Sequence, residues 1–256
     1  MLKTRVMPCL LYCNRGLYKT VKFKNPNYIG DPINAIKIFN EKEVDELIFL
    51  DITASSEKRE PDFKMISDIA SECFMPLCYG GGVKTIDQIR KIFEIGVEKI
   101  SLNTSAIDTP QLVTDAAKLF GSQAVIVSVD IKMNFWGKSE VVKNRATKSI
   151  GEHPVVFVKR MEDAGAGELL ITSVDREGTW QGYDVELIEA ITSSVTIPVI
   201  ANGGAGNLFH IEEVVKKSKA SAVALGSMAV YQKKGFGVLI NFPKREDIEK
   251  ALNQSA

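Results

Sequence analysis

Histidine, tryptophan and cysteine are scarce in this chain: two, two and four residues among 256. Cys9, Cys13, Cys73 and Cys78 form no Cys-x-x-Cys pair and have no histidines at zinc spacing, which argues against a structural metal or redox motif. Reduced, mostly buried thiols in a cytoplasmic protein are the expectation. His153 and His210 fall in or at the start of outer helices, so a structural or surface role is expected for both. With no Ser/His/Asp arrangement either, neither a metal nor a cofactor is expected. Charge is balanced, 32 Lys and Arg against 32 Asp and Glu, and no basic stripe interleaves with aromatics; a nucleic-acid partner is not expected. Apolar runs stay well short of the ~20 residues that span a bilayer, and Met1-Leu-Lys-Thr-Arg5 lacks the apolar core of a signal peptide, so no membrane association is expected. No linker or low-complexity segment interrupts the chain, and residues 1–256 read as one domain.

What is present is a repeat. Gly80–Gly82 followed by Asn103-Thr104, and Gly203–Gly204 followed by Gly226-Ser227, are one cassette written twice about half the chain apart. In each copy an apolar run behind a proline (Pro76, Pro198) ends in glycines, a helical stretch follows, and a second apolar run ends in small polar residues. Glycines let a backbone approach an oxyanion closely, and free N–H groups at a helix start supply donors. Two such cradles suggest a ligand with a phosphate at each end. Short apolar runs predict strands at 5–11, 46–52, 75–80, 98–103, 123–130, 167–173, 197–202 and 221–226. Helical patterns follow at 31–43, 62–73, 85–95, 109–119, 153–164, 184–194, 208–218 and 244–253, with caps at Asp31, Thr85 and Thr109. Eight such units predict a (β/α)8 TIM barrel built from two similar half-barrels. An open doubly wound sheet uses the same units, but the repeat favours closure. Glu168 to Ser173 echoes Glu46 to Asp51 at an offset of 122 positions.

In a barrel, chemistry gathers at the C-terminal strand ends. Asp130 ends the fifth strand, as a mouth carboxylate or a loop cap. Its half-barrel counterpart is Leu11, so a two-carboxylate acid–base couple lacks one member. Asp51 ends the second strand, and Asp175 lies after the sixth, in a segment running through Gly178. Each of the two aspartates either orients a substrate group or shapes its own loop. Lys19, in the first loop, either closes over an anion or is solvated. The connection 131–151 is long enough to be a functional cover, and Trp136 in it is placed to stack on a ring or to anchor the loop. Arg5, Glu46, Lys99 and Glu168 start strands one, two, four and six, a mixed-sign ring across the barrel bottom that is either a salt-bridged plug or a gate.

Segments including Phe49-Leu-Asp-Ile-Thr-Ala-Ser-Ser56, Gly80-Gly-Gly-Val, Asp175-Arg-Glu-Gly-Thr179, Gly182-Tyr-Asp and Ile200-Ala-Asn-Gly-Gly-Ala-Gly206 occur in order, and the chain resembles the cyclase subunit of imidazole glycerol phosphate synthase from end to end. In that family a glutaminase docks on the N-terminal face. Ammonia passes a charged gate and the barrel to a bisphosphate substrate, giving imidazole glycerol phosphate and an aminoimidazole carboxamide ribotide. The resemblance implies that Arg5, Glu46, Lys99 and Glu168 are the gate, and that Glu98 and Gln123 lie where the partner docks. It implies phosphate sites at Gly82, Asn103 and Thr104 and at Gly203, Gly204, Gly226 and Ser227; Lys19, Asp51, Asp175 and Gly178 are further candidates for meeting substrate or phosphate. Asp130 matches one of two catalytic aspartates, and Leu11 stands where the family has the other.

The segments Lys19-Thr-Val-Lys-Phe-Lys24, Asn40-Glu-Lys-Glu-Val-Asp45, Phe74-Met-Pro-Leu-Cys-Tyr79 and Val238-Leu-Ile-Asn241 resemble a divergent branch associated with surface polysaccharides. The expectation is therefore a barrel that partners a glutaminase and channels ammonia to an ATP-dependent sugar amidotransferase, its own cyclase chemistry impaired. Two other readings are an active cyclase of histidine biosynthesis and a scaffold that only binds phosphorylated small molecules.

Overall fold

A computed structural model describes residues 4–253. The first half of the chain runs β1 (Arg5–Cys13), β2 (Gly16–Val21), β3 (Lys24–Gly30), α1 (Pro32–Glu41), β4 (Leu47–Asp51), α2 (Phe63–Glu72), β5 (Leu77–Gly80), α3 (Ile86–Glu94), β6 (Lys99–Leu102), α4 (Thr104–Asp108) and α5 (Gln111–Phe120). The second half runs β7 (Val125–Met133), β8 (Ser139–Lys143), β9 (Lys148–Ser149), α6 (Pro154–Asp163), β10 (Glu168–Ser173), α7 (Val185–Thr192), β11 (Val199–Asn202), α8 (Leu208–Ser218), β12 (Ala222–Leu225), α9 (Ser227–Val230) and α10 (Arg245–Asn253). Strands pair in the order β1-β4-β5-β6-β7-β10-β11-β12, and β12 returns to β1 in parallel register, Arg5 opposite Ala222. The predicted closed parallel barrel with surrounding helices is what forms.

Alternation along each strand divides the core in two. Inward residues such as Met7, Cys9, Ile48, Leu170 and Ile200 fill the barrel, while outward ones such as Leu10, Phe49 and Val127 meet the helices. Helices present one apolar stripe: Ile36 and Phe39 of α1 and Ile89 and Ile92 of α3 are fully buried, each contributing about 1.5–3 kcal/mol. Asp31 caps α1 by accepting from Asn34 N at 2.9 Å, and Thr85 with Gln88 forms a capping box on α3. The Thr109 cap is not found. Thr109 is instead the C-cap of the short α4, and Pro110 is the N-cap position of α5, with no side-chain hydrogen bond.

Two excursions replace the expected loops. Residues 131–151 are not a plain connection: β7 continues to Met133 and β8 and β9 fold back on it. After β1, β2 and β3 form a second antiparallel arm. Neither arm carries the Asn-Gly hairpin signal. Three of their turns are made by non-glycine residues in the left-handed region, Asn14 and Arg15, Lys22 and Phe23, and Asn144 to Ala146, while the β7–β8 turn uses Gly137. All four cysteines are free, and Cys9, Cys13 and Cys78 are buried. His153 caps α6 through Nδ1, and His210 Nδ1 accepts from Gly206 N at 3.1 Å. Trp136 is largely exposed at the β7–β8 tip, edge-on to Phe135. Among the described residues no helix is long and apolar enough to cross a membrane.

Candidate functional site

A cleft of about 150 Å³ opens at the C-terminal strand ends. Leu11, Lys19, Asp51, Gly82, Asn103, Thr104, Asp130, Gly178, Gly203, Gly204, Gly226 and Ser227 all line it, so most of the residues singled out in the sequence meet in one place. Asp175 does not. Its Oδ2 accepts from Met133 N at 2.8 Å, tying the β7–β8 arm to the loop after β10, so of the two roles open to it the loop-shaping one is what the structure displays. Asp51 lines the cleft, but its Oδ1 accepts from Thr53 N and Ala54 N, both at 3.0 Å, and its Oδ2 faces Arg59 at 3.3 Å. These bonds make it an Asx-turn residue holding the β4–α2 loop.

Asp130 is the one acid of the lining without a cationic partner. Burial pushes its carboxyl up to about 7, against hydrogen bonds from Asn103 and Thr172 that favour the charge. Asn103 Nδ2 donates to its Oδ2 at 3.1 Å. A carboxyl near 7 is balanced between giving and taking a proton. Leu11 presents only an alkyl group to the same space.

Lys19 is buried rather than solvated, which corrects the default expected for a loop lysine. The reason is Glu177, a residue the sequence reading did not single out. Glu177 Oε1 faces Lys19 Nζ at 3.4 Å, and its Oε2 accepts from Thr20 Oγ1 and Phe23 N, each at 3.1 Å. It clamps the β2–β3 arm against the loop after β10. Gly178 permits that approach: a Cβ there would lie 2.4 Å from Thr20 O. The clamp carries Lys19 over the Gly226 turn, where an added Cβ would stand 2.5 Å from Nζ. Chain separation of 158 residues hides this pair from any local pattern.

At the opposite end, Arg5 Nη1 donates to Glu46 Oε2 at 2.7 Å and Nη2 to Glu168 Oε1, while Lys99 Nζ donates to Glu46 Oε2 at 2.9 Å and Glu168 Oε2 at 3.1 Å. Two cations and two carboxylates therefore alternate in a ring. Burial opposes the Arg5 charge, but hydrogen bonds and charges from Glu168 and Glu46 outweigh it and hold its pKa above the ordinary value. Glu46 Oε1 and, at the cleft floor, Ser101 Oγ are buried without a hydrogen-bond partner among the described residues. The barrel interior past the ring is apolar, with Met7, Ile48, Leu170 and Ile200. Glu98 and Gln123 are exposed on the ring's face, and Glu98 Oε2 accepts from Leu77 N at 2.7 Å.

The sequence pattern of the family described as "Histidine biosynthesis protein" matches residues 5–235. A Pseudomonas aeruginosa protein named as a candidate imidazole glycerol phosphate synthase subunit, hisF2, is 49% identical over 95% of this chain and 97% of its own. A Leptospira borgpetersenii protein similarly named HisF is 44% identical over 97% and 98%. The imidazole glycerol phosphate synthase subunit HisF of Methanococcus vannielii is 38% identical over 91% and 93%. Barrel, paired glycine turns and relatives agree: the chain belongs to the imidazole glycerol phosphate synthase cyclase-subunit (HisF) family.

Proposed function

We propose that this barrel partners a glutaminase on its N-terminal face and conducts the released ammonia to another enzyme, an ATP-dependent sugar amidotransferase of surface-polysaccharide synthesis. The observation that carries this reading is Leu11 in the cleft wall with Asp130, a site with one acid where cyclisation needs two. Removing an acid–base group costs about 10²–10⁴-fold in rate. The four-charge ring supports ammonia entry. Its carboxylates attract a polar molecule, and the apolar stretch beyond it admits neutral ammonia but penalises ammonium. Glu46 Oε1 in the ring and Ser101 Oγ in the cleft lining offer acceptors unused among the described residues. Glutamine hydrolysis in the partner frees the ammonia. In the acceptor enzyme, ATP activates the oxygen of an N-acetyl carbonyl, and ammonia replaces it to give an acetamidino group.

One observation favours a working histidine-pathway cyclase instead: Asp130 is held near 7 beside complete glycine turns. The deciding experiment is turnover of the family's bisphosphate substrate with ammonium salt, with glutaminase stimulation measured in parallel. No turnover with stimulated glutaminase is expected. Turnover at ordinary cyclase rates overturns the conduit reading, and absence of both leaves a binding scaffold. Leu11→Asp adds a check, because recovered cyclisation means the rest of the site remains competent.

A further inference from the structure

The two antiparallel arms sit at equivalent places in the half-barrels. The β2–β3 arm follows β1, whose neighbour β12 leads into Gly226-Ser227. The β8–β9 arm follows β7, whose neighbour β6 leads into Asn103-Thr104. The two turns share a backbone shape, Asn103 at φ −116°, ψ −85° and Gly226 at φ −93°, ψ −96°. Each arm is tied to the element that follows the turn beside it. Asn27 of the first arm donates to Tyr231 Oη at 3.0 Å, just past α9. Lys143 of the second pairs with Asp108, the last residue of α4. The first arm carries Lys19 over its turn.

We propose that Arg145, in the β8–β9 turn of the second arm, plays the part of Lys19 for the other half-barrel: it is the cation that grips a phosphate held at Gly82, Asn103 and Thr104. This rests on reading the glycine turns as phosphate cradles. Arg145 lines the cleft, half-buried, two residues beyond the Lys143 tether. The other charges there are satisfied, Lys19 by Glu177 and Asp51 by Arg59, and Asp130 is hydrogen-bonded by Asn103. Arg145 has no carboxylate within ion-pairing distance among the described residues. Its backbone, with those of Asn144 and Ala146, is left-handed at φ 54°, 56° and 59°, which non-glycine residues avoid unless the surroundings impose it. A guanidinium suits this task because its planar fork meets phosphate oxygens in pairs. The ligand class is a small molecule phosphorylated at both ends, each phosphate met by glycine-rich backbone and one arm-borne cation.

Titration calorimetry with inorganic phosphate on the full chain tests this without any assumption about the ligand's span. The wild type should take two phosphates. Arg145→Ala should weaken one site about tenfold and leave the other unchanged, with Arg145→Lys intermediate. Lys19→Ala should weaken the second site only. In a Thr104→Asp background, where a carboxylate closes the first cradle, Arg145→Ala should have no further effect while Lys19→Ala still does. Melting curves identify any variant that fails to fold, and Arg145→Lys, which keeps the charge, then carries the comparison. Two wild-type sites untouched by Arg145→Ala would overturn the role of Arg145 and leave the cradles standing. A wild type that binds no phosphate would overturn the cradles themselves.

Discussion

Lys19 Nζ faces Glu177 Oε1 at 3.4 Å with both side chains about 95% buried, and this pair joins the β2–β3 arm to the loop after β10 by charge. Lys22 N adds a backbone bond to Glu177 O at 3.0 Å, and Thr20 and Phe23 use the other carboxylate oxygen. Glu177→Ala leaves a buried ammonium unpaired and two donors unsatisfied. A loss of about 2 kcal/mol is expected, read as a lower urea midpoint, with faster proteolysis at the turn 22–25. An unchanged midpoint and cleavage rate would mean that the arm is held by packing instead.

Asp130 predicts a pH dependence. Its folded pKa, about 7, lies above the ordinary carboxylate value of 3.8, so the folded state holds its proton where the unfolded chain has lost it. The stability this gives is full below pH ~4, falls as pH rises, and is gone above ~7. Asp130→Asn removes the titration. Its melting temperature relative to wild type should therefore rise between pH 4 and 7 and then level off. A difference that stays flat across this window would place the carboxyl near its ordinary value.

Lys99→Ala and Arg5→Ala break the ring from the cationic side. Both residues keep partial solvent access, 20% and 29% of the side chain, so the barrel should stay folded. In the complex with a glutaminase, more glutamine should be hydrolysed per acceptor aminated than in the wild type. A ratio that stays at one would favour a plug that merely seals the core.

Gly204 and Gly96 separate crowding from backbone strain. Both have positive φ, 108° and 109°, but a Cβ at Gly204 would lie 2.1 Å from Gly182 O, whereas nothing lies within 4 Å at Gly96. Gly96→Ala should cost about 1–2 kcal/mol and Gly204→Ala at least about 3 kcal/mol, with loss of the neighbouring phosphate site. Equal destabilisation by the two changes would show that conformation alone decides.

The barrel was legible because its signals are local. Apolar runs bounded by turns mark strands, stripes such as Ile89 and Ile92 mark helices, and the charges of Arg5, Glu46, Lys99 and Glu168 stand at strand starts. The glycine turns were legible for the same reason. The arms were not, because the turns at Lys22-Phe23 and Asn144 to Ala146 are made without glycine, and the segments Gly16–Val21 and Lys148–Ser149 are short.

The sequence by itself determined the repeat, the barrel and Leu11 as the half-barrel counterpart of Asp130, since each is written in residues close together or in a fixed period. Closure of the barrel decided the rest. It turned Asp51 to its own loop and Arg59, sent Asp175 to Met133 N, buried Lys19 against Glu177, and left Arg145 at the cleft with no carboxylate in ion-pairing distance among the described residues. These outcomes depend on which strand ends meet across the mouth. Coulomb and hydrogen-bond energies act over a few ångströms in space, and no local pattern in the chain records which distant residues come that close.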